Sequence, residues 1–141
     1  MAMRWSFSRV SALTLPVLLA TACVTTTTRA FLPSRQNPIY TLAKAEPVLA
    51  EYLRLQCASL RQAQRPDSGT ARLVVDVDTS GFATRAELVR GTGDATLDGV
   101  FGTVSAQLTF DRAPKARREN VDIVYRCEGD DPHVTVRTGG L

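Results

Sequence analysis

DVDTSGFATRAE, residues Asp76 to Glu87, admits two incompatible readings, and the choice between them decides the fold. The letters fit the calcium loop of a helix–loop–helix site. Asp76, Asp78 and Ser80 fall in ligand places, Gly81 at the turn and Glu87 at the closing bidentate place. Such a loop needs a helix on either side. Here Pro66 and Gly69 stand shortly before Asp76, and only Leu88, Val89 and Arg90 separate Glu87 from Gly91. Neither flank has room for an ordinary helix. The same letters contain Asp78-Thr79-Ser80-Gly81, an Asp-first, Gly-fourth turn of the kind that closes a β-hairpin. On a hairpin, Asp76 and Glu87 lie on different strands behind the turn, so Glu87 does not complete a shell. The hairpin is the reading carried forward. Asp76, Asp78 and Ser80 are kept only as candidate ligands of an incidental cation site, and no cofactor is implied.

Working outward, ARLVVDV (Ala71–Val77) is rich in β-branched residues and puts Leu73, Val75 and Val77 on one face of a strand. Phe82 to Val89 returns as the second strand. Upstream, Pro47 suits a first helical position, and Leu49, Leu53, Cys57 and Leu60 recur as one apolar stripe, which predicts a helix from Glu46 to the Pro66–Gly69 break. Downstream, Asp94 suits an N-cap, and Leu97, Val100, Phe101, Val104 and Leu108 mark a second helix. Val121 to Cys127 alternates as a third strand. Residues 24–43, with four threonines, Pro33 and Pro38, show no sustained period and read as a flexible tether. Residues 129–141 read as a loose tail.

The N-terminus directs the chain out of the cell. Arg4 and Arg9 precede an apolar run, Val10 to Ala20, and a small-residue exit, the pattern of a signal peptide over residues 1–22. The run is short for the roughly 30 Å hydrocarbon core of a bilayer. Cys23 stands where a bacterial lipobox would place it, and Cys23, Cys57 and Cys127 are an odd set for an oxidising compartment. Lipid on Cys23 would leave an even pair, so Cys57 and Cys127 are expected to form a disulfide. Residue 23 then opens the tether, and residues 44–128 form the domain. Val24 in place of Asp points to outer-membrane sorting by resemblance to enteric lipoproteins. Removing Arg4 and Arg9 from 17 basic residues leaves 15 against 14 acids, which gives no case for nucleic acid as a partner. The loop with Arg112, Lys115, Arg117 and Arg118 reads as a solvated connection. His133 is the one histidine and lies in the tail. No nucleophile–base pair or zinc spacing is apparent, so an enzyme is not expected.

The order of motifs across residues 71–127 resembles the C-terminal domain of TonB and the TonB family. Leu73-Val74-Val75-Asp76-Val77 stands for its first strand and Asp78–Gly81 for its acidic turn. Gly91-Thr92-Gly93, Leu97-Asp98, Phe110, Ala113-Pro114 and the strand at 121–127 follow in order. Leu108 replaces the usual Trp, and Ala113-Pro114 inverts the family's P-A. The segment that engages a proton-driven motor is missing, so energy transduction is not implied. The expected fold is α+β, a small three-stranded antiparallel sheet of order 2-1-3 with two helices. In that order ARLVVDV is central and Val121–Cys127 is an edge, available for strand addition. The resemblance implies the same use of the final strand, so Val121, Ile123 and Tyr125 are the candidate partner-binding residues. The functional expectation is a non-enzymatic, periplasm-facing lipoprotein of the outer membrane that binds an envelope protein or extended peptide. A homodimer through the edge is compatible with it. The alternatives are a calcium-responsive envelope protein and a TonB-like component of an envelope transport system.

Overall fold

A computed structural model describes residues 28–141. The expected signal peptide over residues 1–22 and the expected lipid site Cys23 lie outside the described residues. The hairpin at Asp76–Glu87 forms, with β3 (Ser68–Val77) and β4 (Ala83–Arg90) antiparallel across the turn. Asp78 builds that turn: its Oδ1 accepts the amides of Ser80 and Phe82, both at 2.9 Å. Gly81 supplies φ of +91°, a left-handed conformation that a side chain resists.

The elements run β1 (Arg29–Phe31), β2 (Tyr40–Thr41), α1 (Leu42–Gln62), β3, β4, α2 (Ala95–Ser105), β5 (Leu108–Thr109), β6 (Arg117–Glu128) and β7 (Asp131–Gly140). Helix α1 begins before Glu46, so Pro47 lies inside it and forgoes the hydrogen bond to the Ala43 carbonyl. Its stripe of Ala45, Leu49, Leu53, Cys57 and Leu60 is buried. Helix α2 is capped by Asp94, whose Oδ1 accepts from the amides of Thr96 and Leu97 at 2.9 and 3.0 Å. Both helices cover the face of the sheet formed by Ala71, Leu73, Val75 and Val77 of β3 and Val121, Ile123, Tyr125 and Cys127 of β6. The alternation that buries these residues turns Arg72, Asp122 and Arg126 to the opposite, polar face.

The fold is α+β, but its sheet has five antiparallel strands in the order β1-β4-β3-β6-β7, beside a two-stranded parallel pair of β2 and β5. The expectation of three strands is corrected at both ends. The supposed loose tail is β7, which follows β6 through a tight turn where Gly129 takes φ of +61° and pairs along ten residues. Val134 and Val136 of β7 pack against the core. The supposed tether supplies β1, β2 and the start of α1.

That N-terminal segment is a strap. β1 pairs with β4 at Ala86 to Leu88, and Phe31 lies in a notch at Gly102 of α2. A Cβ on Gly102 would stand 2.1 Å from the Phe31 ring, so the close approach requires glycine. Gln107, 5% exposed, holds the following loop. Its Oε1 accepts the Ser34 amide at 2.6 Å. Its Nε2 lies within 3.1–3.3 Å of the carbonyl oxygens of Ser34, Asn37 and Pro38.

Candidate partner-binding surface

Val121, Ile123 and Tyr125 are not on an edge. Ile123 faces Ala71 of β3 on one side and Val136 of β7 on the other. All three side chains are buried beneath the helices. Tyr125 packs its ring 5.7 Å from that of Phe101 and donates its hydroxyl to the Pro66 carbonyl at 3.4 Å. Burial raises its phenol above the ordinary range. These residues build the core, so the edge-strand assignment of β6 is withdrawn. The physical cause is β7, whose pairing satisfies the ladder that the shorter sheet left open.

The other expected residues fall in three places. Cys57 and Cys127 form a disulfide with Cα atoms 5.7 Å apart, joining α1 to the end of β6. Asp76 sits on the polar face of the sheet, where its Oδ1 accepts from Arg118 at 3.1 Å, while Asp78 is engaged in the turn. Glu87 lies 3.7 Å from Arg85. The three parts of the cation pattern are thus held by separate partners, and no cluster of three metal-ligating side chains forms among the described residues. Arg117, expected in the basic loop, is the first residue of β6, and it donates to Glu119 at 2.7 Å and to the Asp111 carbonyl at 2.8 Å. In the hairpin between β6 and β7, Arg61 pairs with Asp130, Arg126 with Glu128, and His133 with Glu128 at 3.3 Å.

The long open edge belongs to β7. In an antiparallel ladder, amides of successive residues alternate between the neighbouring strand and the outside. The Val136 amide donates to Glu46 Oε1 at 2.8 Å, away from β6. By the same alternation the amides of Val134 and Thr138 also point outward. Pro132, in step with them, has no amide to offer. The edge thus offers outward donors at Val134, Thr138 and Gly140, to either side of a fourth, Val136, that Glu46 of α1 covers.

A second surface flanks the strap. The loop after β1 and the β3–β4 turn enclose an open groove of about 820 Å³. Ile39 and Phe82 rim it and are exposed, and Ala83, Ala106 and Leu108 form its floor. Neither this groove nor the β7 edge was assigned from the sequence. The signal for β7 was present in His133-Val134-Thr135-Val136-Arg137, a short alternation of period two. Three residues of β1 carry no period at all.

Two helices packed on one face of a five-stranded antiparallel sheet define the class of protein, a two-layer α+β domain. Comparisons with protein-family models, curated proteins and solved structures find no match. Among the described residues no helix is long and apolar enough to cross a membrane.

Proposed function

We propose that the chain is an exported, lipid-anchored envelope protein without catalytic function, whose domain takes up an extended segment of an envelope protein along the outer edge of β7. The observation that carries this reading is the ten-residue edge with the Val134 and Thr138 amides directed outward. A partner strand that displaces Glu46 from the Val136 amide and accepts those donors gains main-chain hydrogen bonds, while alternate side chains set its specificity. The buried disulfide supports export, since such bonds persist in oxidising compartments. The TonB-like motif order adds a strand-capturing precedent, now applied to β7 instead of β6. The calcium-responsive alternative is disfavoured because Asp78 already spends Oδ1 on two backbone amides. A component of an envelope transport system would use the same edge.

A photoreactive residue at Thr135, which is exposed on β7, tests the reading in the intact envelope. Crosslinks to one envelope protein are expected, and Thr138→Pro should abolish them by removing an outward donor while leaving the β6 ladder whole. Equal crosslinking with and without Thr138→Pro would refute strand addition at this edge. A mass spectrum of the mature N-terminus tests lipid on Cys23 separately.

A further inference from the structure

Glu46 stands on α1 with its carboxylate over the centre of the β7 edge, bound to the Val136 amide. We infer that Glu46 keeps the protein monomeric, and that without it β7 pairs with β7 of a second copy. This goes beyond the binding reading above and holds whether or not an envelope protein uses the edge.

The sequence of β7 is self-complementary about Val136. An antiparallel pair with its two-fold axis there sets Val134 opposite Thr138, Thr135 opposite Arg137 and His133 opposite Gly139. The residues whose amides point outward then face one another, which is the arrangement that exchanges both hydrogen bonds of a pair. No like charges stand directly opposite, so side-chain repulsion does not disfavour the register. Pro132 falls opposite Gly140, where its missing donor removes one bond from the end of the ladder.

The obstacle is Glu46. It already occupies the amide that the partner's Val136 carbonyl must take, and the two-fold axis would bring both copies' carboxylates to the same place. Covering an edge donor with an inward-reaching charged group is a known way for a sheet to avoid edge-to-edge association.

The test uses the full chain exported from a bacterial host, with Cys23→Ser so that lipid does not drive assembly. Sedimentation is compared at concentrations where this chain runs as a monomer. Glu46→Ala is expected to double the sedimenting mass. Glu46→Gln, whose amide oxygen still accepts from Val136, is expected to stay monomeric. Glu46→Ala with Thr138→Pro is expected to return to monomer, because a central donor of the new ladder is gone. A monomeric Glu46→Ala chain overturns the inference. So does a dimer that Thr138→Pro leaves intact, since another surface would then join the copies. If Glu46→Ala does not fold, Glu46→Met carries the same test, because its uncharged side chain is of similar length and neither accepts the Val136 amide as a carboxylate does nor repels its two-fold mate.

Discussion

Replacing Gln107 by alanine should release the strap while leaving the sheet folded. Gln107 lies at the junction of α2 and β5 and makes its hydrogen bonds across the chain to Ser34, Asn37 and Pro38. Its Oε1 takes one amide, and the two protons of Nε2 are shared among three carbonyls, so about three bonds are lost at roughly 1 kcal/mol net each. The strap loop can rehydrate once freed, which places the loss at about 2–3 kcal/mol of local opening free energy. Since each 1.4 kcal/mol is tenfold, the open population should rise by about 30- to 150-fold. Hydrogen exchange resolved by residue reads this directly. Amides of Arg29–Phe31 should exchange faster by that factor, and those at the centre of β3 and β6 should keep most of their protection. Trypsin cleavage after Arg35, in the exposed loop, should accelerate with them. Unchanged exchange in β1 would refute the clamp. Equal loss across β3 and β6 would show that Gln107 supports the whole core instead of the strap.

Reducing the Cys57–Cys127 bond, which closes a separation of 70 residues, should cost about 4 kcal/mol in the chain-entropy estimate. Denaturant unfolding with and without reductant measures it, and an unchanged midpoint would contradict a stabilising bridge. Acid should destabilise the domain through Asp94 and Asp122. The Leu97 amide foremost, with Arg65, holds the Asp94 carboxyl below the ordinary carboxylate range, and the Arg72 guanidinium does the same for Asp122. With the folded value depressed, the stabilisation is complete above the unfolded value of about 3.9 and is lost as pH falls through the folded one. Asp94→Asn, which still caps the helix, should flatten the acid limb of a stability–pH curve. An equally steep limb would remove Asp94 as a source of the acid sensitivity.

The parts of the fold that could be read were those where a single element carries its own period. The stripe from Leu49 to Leu60, the Asp94 cap and the alternation of Leu73, Val75 and Val77 each announce their element and its buried face. The sheet's extent was not announced in that way. Phe31 is needed because Gly102 leaves a notch, and Gln107 because three carbonyls converge on it. Such pairings at long sequence separation leave no local pattern. β7 was missed for a different reason. Gly139 and Gly140, with a charged turn before Asp131, have the composition of a tail, and the period of Val134 and Val136 spans one pair of residues. Its consequence was large, since one extra strand moves Val121, Ile123 and Tyr125 from a binding edge to the centre of the core.

The strap also alters the geometry of the proposed anchor. A coil of about twenty residues would reach on the order of 25 Å. With β1 beginning at Arg29, only Val24 to Thr28 separate the proposed lipid on Cys23 from the sheet. At full extension those steps reach at most about 20 Å. The domain would therefore be held close to the bilayer by the strand at one end of the order β1-β4-β3-β6-β7. With strands about 4.8 Å apart, β7 lies about 19 Å across the sheet from β1. The β7 edge proposed for a partner is thus the one furthest from the strand next to the proposed anchor, and it is the edge whose Val136 amide Glu46 covers. In a crowded membrane plane, copies of a closely tethered domain meet often, so a guarded edge has more to prevent there than on a long, loose tether. Release of the strap by Gln107→Ala would lengthen the tether without touching Glu46, which allows anchor length and edge protection to be varied independently.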